Sequence, residues 1–184
     1  IYTWSIEMKI NNDVFEKFPE IKYYDFDQKN DERGYFVKTF SRDNFFDKDI
    51  SFDEIYHSTS RKNVIRGIHY QHKPHGLDKF VICIEGEIKD LVIDLRKKSS
   101  TYLDFETIKL NKNSGLFVPY GFGHGFSILS EYATVLYCQS GQYNSESEGG
   151  INPLSLDVDW EIESPILSKR DASLESIVTF NPEL

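Results

Sequence analysis

Val64-Ile65-Arg66-Gly67-Ile68-His69-Tyr70-Gln71 is an apolar, β-rich run that carries a permanent cation and an imidazole three residues apart. From this octet onward the chain is a succession of short β-forming runs separated by turn residues. They are Phe80 to Ile84, Glu87 to Leu95, Tyr102 to Leu110, Gly115 to Pro119, Gly125 to Leu129 and Thr134 to Gln139. None is long enough or suitably periodic for a helix of average length, and strands at this regular spacing predict an all-β antiparallel sandwich or barrel. Upstream, Tyr35 to Phe40 and Phe52 to Ser60 read as further strands. Ile21 to Phe26 reads as a strand that pairs with something distant or with a second subunit, and Ser41 to Phe46 as a capped single helical turn. Residues 1–14 read as a disordered or tag-like extension of a single domain spanning 1–184.

In a regular strand an odd separation sends Arg66 and His69 to opposite faces, unless Gly67 between them carries a bulge that re-aims one. On these residues alone, a hydrogen-bonded core histidine beside a surface cation fits as well as a proton-transfer imidazole beside an anion-binding guanidinium. Pro119 to Phe126 places a second histidine, His124, in a glycine-rich hairpin. Its glycines would let backbone approach a ligand closely, or would simply serve a tight turn. Tyr137 sits mid-strand, where a core phenol is the commoner case. Glu85-Gly86 reads as a two-residue turn joining the Phe80 and Glu87 strands, with Val81 opposite Asp90 and Lys79 opposite Val92. That register puts Lys79, Val81, Cys83, Asp90, Val92 and Asp94 on one face, like the wall of a lined cavity, and Lys79 within reach of Asp90.

A net charge of −9 argues against a nucleic-acid polymer or an anionic membrane as partner, since both are bound through basic surface. A few arginines in one cleft can still hold a small anion. Cys83 and Cys138 lie in strand-like runs without metal-type spacing, as expected of buried reduced thiols in a cytoplasmic protein. No run approaches a membrane-spanning length, and Ile1-Tyr2-Thr3-Trp4-Ser5 lacks the basic-then-apolar order of a signal peptide, so a soluble cytoplasmic protein is expected.

Several motifs resemble, in order and spacing, those of the dTDP-4-dehydrorhamnose 3,5-epimerase family: Asp31-Glu32-Arg33-Gly34, Val64 to Gln71, Asp90 to Arg96, Pro119 to Phe126, Leu136-Tyr137, Asp159-Trp160 and Leu167 to Asp171. The resemblance covers roughly residues 15 to 180. It implies a cupin-type jelly-roll barrel and a homodimer with exchanged N-terminal strands. The implied reaction is a cofactor-free, metal-independent epimerisation of a nucleotide-diphosphate sugar next to its ketone. By the same resemblance His69 is the base, Asp171 holds its ring in the correct tautomer, Lys79 stabilises the oxyanion and Tyr137 is the acid on the other face. Arg33, Arg66, His124, Glu148 and Arg170 match positions that line the nucleotide-sugar site. From the hairpin register, Asp90 is expected to hold Lys79 in place. Lys38 stands where the family commonly has Glu, and Glu54-Ile55-Tyr56 where it has Gln-x-Asn, all at ligand-contacting positions. CDP- or GDP-linked ketosugars or heptoses, inversion at one carbon only, and ketoisomerisation are the neighbouring alternatives. A catalytically silent sugar-binding barrel and a metal-dependent cupin are more distant ones. His69 and His72 point to opposite faces of a regular strand, which is awkward for a shared ion.

Overall fold

The computed structural model describes residues 8–11, 14–47 and 49–181. Its strands are β1 (Met8–Asn11), β2 (Lys22–Phe26), β3 (Gln28–Asp31), β4 (Gly34–Val37), β5 (Glu54–Arg61), β6 (Ile65–Gln71) and β7 (Lys79–Glu85). They continue as β8 (Glu87–Asp94), β9 (Phe105–Asn111), β10 (Ser114–Val118), β11 (Phe122–Ile128), β12 (Tyr132–Gln139) and β13 (Glu148–Gly150). A short helix, α1 (Lys169–Ala172), follows near the C-terminal end, and 3-10 turns occur at Arg42–Asn44 and Pro153–Ser155. No helix among the described residues is long and apolar enough to cross a membrane.

Two antiparallel sheets face each other, one ordered β1-β2-β10-β7-β12-β5 and the other β13-β6-β11-β8-β9, while β3 and β4 form a separate two-stranded hairpin. Period-2 alternation sorts the side chains into three apolar layers. Val81, Cys83, Val92, Leu116, Phe126 and Val135 fill the space between the sheets, closed at one end by Phe15 and Phe18, the latter edge-on to Phe122 at 5.3 Å. Tyr24, Phe80, Ile82 and Phe117 point outward from the first sheet and are covered by Phe40, Phe45, Ile50 and Phe52. Ile65, Ile68, Leu91, Ile93 and Leu95 point outward from the second and are covered by Ile151, Leu156, Trp160 and Phe180. The central strands of both main sheets, β7 and β8 among them, are therefore largely buried on both faces, whereas the edge strand β5 is mostly exposed.

The strand expectations hold from Phe52 onward, with boundary shifts of up to three residues. The strand expected over Tyr35 to Phe40 ends at Val37. Lys22–Phe26 is a strand, paired with the distant β10 and with β1. Met8–Asn11 adds an edge strand within the stretch expected to be disordered, and residues 1–7 and 12–13 lie outside the described residues. At the 3-10 turn Ser41 caps through its backbone carbonyl, which accepts from Asn44 N at 3.0 Å, and its side chain makes no capping bond. Both cysteines are free and buried, Cys83 in the central layer and Cys138 in an outer one.

Two expected hairpins are not hairpins. β7 pairs with β10 and β12, whereas β8 pairs with β9 and β11, so the Glu85-Gly86 turn carries the chain from one sheet to the other. The Pro119 to Gly121 turn does the same between β10 and β11. Gly86 has φ +81° and lies so close to β12 that a Cβ would stand 2.3 Å from the Tyr132 carbonyl oxygen. Lys79, Val81 and Cys83 do share an environment with Asp90 and Val92, but across the interior rather than along one surface. Asp94 leaves that set altogether. At the end of β8 its carboxylate accepts from Arg96 Nε and Nη2, both at 2.8 Å, and from the Thr101 hydroxyl at 2.7 Å. Burial raises its pKa, but these bonds outweigh burial and hold it at about 2.

Gly67 resolves the spacing problem of the opening octet. Against β11, His124 pairs with His69 and Phe126 with Arg66, so three steps along β6 match two along β11. This is a bulge, and it turns both Arg66 and His69 inward while Ile65 and Ile68 both face the outer core. Gly67 has φ +111°, and a Cβ there would lie 2.6 Å from Gly125 Cα. Backbone contact at this distance admits only glycine.

Candidate active site

The bulge opens onto a cavity of about 170 Å³ at one end of the sandwich. Tyr56, Arg66, His69, Lys79, His124, Tyr137 and Glu148 line it, together with Ser58, Tyr70, Gln71, Phe126, Gln139 and Tyr143. Asp171 reaches it from outside. The Leu167 to Asp171 segment docks beside β6 through a parallel bridge between Val64 and Ile166, and Ser168 Oγ accepts from Asp171 N at 2.9 Å to start α1. Asp171 Oδ1 then lies 2.8 Å from His69 Nε2, and Oδ2 accepts from Gly67 N at 3.4 Å.

Burial works against the Asp171 charge, but the His69 ring, the Gly67 amide and Ser168 together hold its carboxyl below the ordinary range. An ionised carboxylate only accepts, so Nε2 carries the proton and Nδ1 of the neutral ring keeps its lone pair. The His69 side chain is 26% exposed and borders the cavity, so the ring is open to a partner there.

His124 is also paired with a carboxylate, its Nε2 lying 2.8 Å from Asp90 Oδ2. The expected Lys79–Asp90 contact is absent because Asp90 turns to this histidine on the neighbouring strand β11. Asp90 is fully buried and its second oxygen has no partner. Burial pushes its pKa up, against the attraction of His124. Gly123 and Gly125, for which close approach to a ligand and a tight turn were both open, lie within β11 and press against protein: a Cβ on Gly123 would lie 2.8 Å from Ile93, and one on Gly125 would lie 2.8 Å from the Arg66 carbonyl oxygen.

Lys79 stands in the wall with no hydrogen bond or ion pair to any described residue. Desolvation lowers its pKa to about 8, with Glu148 pulling the other way. Burial raises the Tyr137 phenol well above its usual value, so it remains a proton carrier at any physiological pH. At the mouth, Glu148 Oε2 accepts from Tyr143 Oη and from Arg170 Nη2, both at 2.6 Å. Arg66 Nε donates to Ser60 Oγ at 2.7 Å. Glu54 lies one step behind the wall, accepting from Gln139 Nε2 at 2.8 Å.

Arg33 and Lys38 are not brought to this cavity. Arg33 is 82% exposed at the β3–β4 turn and forks onto Asp31, while Lys38 is exposed just past β4. Four of the lining residues given no role from sequence were findable by counting two along a strand from one that was: Ser58 from Tyr56, Gln71 from His69, Phe126 from His124 and Gln139 from Tyr137. Tyr143 comes from an irregular loop and carried no such signal. Among the described residues no three His, Cys, Asp or Glu side chains group as metal ligands, and both pocket histidines commit Nε2 to a carboxylate.

The chain was compared with known proteins. It is 32% identical over 174 residues to the dTDP-4-dehydrorhamnose 3,5-epimerase of Shigella flexneri, covering 91% of this chain and 96% of that one. It is 36% identical over 152 residues to the dTDP-4-dehydrorhamnose 3-epimerase of Streptomyces niveus, covering 79% and 73%. Among solved structures, the dTDP-6-deoxy-D-glucose-3,5-epimerase of Legionella pneumophila in complex with dTDP-4-keto-L-rhamnose superposes with a TM-score of 0.86 at 30% identity, covering 95% of each chain. These neighbours place the fold in the class of cupin-type β-sandwiches. The sequence profile of the dTDP-4-dehydrorhamnose 3,5-epimerases matches residues 16–178, and the chain belongs to that family.

Proposed function

We propose that this chain epimerises a nucleotide-linked 4-keto-6-deoxyhexose at C3 and C5, the carbons flanking the ketone, without cofactor or metal. The observation that carries the proposal is that the His69–Asp171 pair, Lys79 and Tyr137 converge on one cavity. A proton α to a ketone is acidic enough for a positioned neutral imidazole to remove. His69 Nδ1 takes it, and the Asp171 carboxylate stabilises the imidazolium that results. Charge then develops on the ketone oxygen, where the Lys79 ammonium is preorganised and poorly hydrated, so its stabilisation is strong. Tyr137 returns a proton to the opposite face of the enolate and inverts the centre. Arg66 and Arg170 suit the diphosphate, to which a guanidinium can fork with two bonds.

The working unit we propose is a cytoplasmic homodimer. The β3–β4 hairpin belongs to neither main sheet and carries Tyr35 and Phe36, 57% and 53% exposed, beside Arg33. Seated on a second copy, it would bring Arg33 and Lys38 to that copy's cavity. Sedimentation would show the dimer, and a monomeric active species would remove this part of the proposal.

Proton NMR of dTDP-4-keto-6-deoxyglucose with the protein in deuterated water tests the reaction. Loss of the C3 and C5 proton signals with appearance of inverted product is expected. Loss at C3 alone would revise the proposal to a mono-epimerase. No exchange with dTDP-, CDP- or GDP-linked ketosugars would overturn it.

A further inference from the structure

We infer that Tyr56 is a positioning residue for Tyr137, a ring clamp that aims the phenol at the enolate and governs how efficiently the second face is reprotonated. The two tyrosines are direct cross-strand partners on β5 and β12. Their rings stack with centroids 4.9 Å apart and planes 16° from parallel, and both border the same cavity.

The clamp is itself held from behind. Tyr56 Oη donates to Gln139 Oε1 at 3.1 Å, and the same amide donates to Glu54 Oε2 at 2.8 Å and to the Gly141 carbonyl at 3.2 Å. Glu54 also accepts from Tyr143 N at 3.3 Å, joining the array to the loop at the pocket mouth. On its other side Tyr137 meets Phe126, with ring centroids 6.4 Å apart. The Tyr137 ring is thus confined between Tyr56 and Phe126, its hydroxyl lies near Ser58, and the Tyr56 face is fixed by a hydrogen-bonded anchor. Proton transfer depends steeply on alignment, and a phenol free to swing delivers its proton less often. His69 lies on the other sheet and is held by Asp171, so removal and return of the proton rest on different direct contacts.

The inference rests on the proposed epimerase chemistry, and the same NMR experiment separates the two. Two rates are read in deuterated water: loss of the substrate proton, which reports removal by His69, and formation of inverted product, which needs Tyr137. Tyr56→Phe keeps the stacked ring and loses only the anchor, so inversion should fall about twofold. Tyr56→Leu removes the stack, and inversion should fall about five- to tenfold while proton loss falls less than twofold. Excess exchange with retained configuration is then the signature. Thermal unfolding accompanies each variant, and Tyr56→Thr replaces the leucine variant if that does not fold.

A parallel fall in both rates would mark Tyr56 as merely structural and overturn the inference, as would two unchanged rates. If the unsubstituted protein exchanges nothing, the epimerase proposal fails and this inference falls with it. Proton loss without any selective effect at Tyr56 would leave the epimerase proposal standing alone.

Discussion

The cavity holds two histidine–carboxylate pairs, and they differ where a pairwise distance cannot show it. His69 and His124 are cross-strand partners, and each places Nε2 2.8 Å from a carboxylate oxygen. Asp171 gathers an amide and a hydroxyl in addition to its histidine, and its carboxyl is held below the ordinary range. Asp90 is fully buried, leaves one oxygen unpartnered and is pushed the other way. The first pair can therefore stabilise an imidazolium when His69 takes a proton. The second has no spare solvation with which to do so, and it serves as a fixed hydrogen-bonding wall. Identical contact geometry thus comes with opposite carboxylate environments, and on the proposed reading this makes His69 the base and His124 the scaffold.

Substitutions can break this contrast. His69→Asn should lower substrate proton loss about 10³-fold or more, since a general base contributes roughly 10²–10⁴. Asp171→Asn should cost about 10²-fold, within that range, because the amide carries no charge to set against the imidazolium. Deuterium-exchange rates measure both. If His124→Asn proved as damaging to proton loss as His69→Asn, the assignment of roles would be reversed.

The lysine sharpens the contrast through pH. Its charged form is the protonated one and its pKa is lowered to about 8, so the oxyanion site is charged below that value and neutral above it. The value of kcat/KM should fall about tenfold for each pH unit above 8, as expected for loss of one essential proton. An unchanged rate through pH 9.5 would exclude Lys79 as the oxyanion partner. Smallest of all should be Asp90→Asn, which keeps an acceptor for His124. Proton loss should change less than about fivefold and stability by about 1 kcal/mol, read from denaturant midpoints.

The sequence revealed every strand from Phe52 onward except Glu148–Gly150, and most of the pocket, because period-2 alternation and the Gly67 bulge are local signals. It did not reveal which consecutive strands lie in one sheet. A two-residue turn such as Glu85-Gly86 looks the same whether it folds a strand back beside its predecessor or carries it across to the facing sheet. The false Lys79–Asp90 pair followed directly from that ambiguity. Short strands with no alternation, such as Glu148–Gly150, were equally silent, since their residues pair only when a distant strand is present. Arg33 and Lys38 show another limit. A motif gives the residue but not its distance from the cavity, and in this chain both lie away from it.

The Leu167 to Asp171 segment has a consequence for how the protein matures. Asp171 joins His69 across 102 residues of chain, and the region that carries it also brings the side chains that cover the outer face of the second sheet. During synthesis the barrel strands emerge first and the carboxylate last. A chain truncated before Asp171 would lack both part of that cover and the carboxylate beside His69, so on the proposed reading competence for proton removal would arrive late in folding.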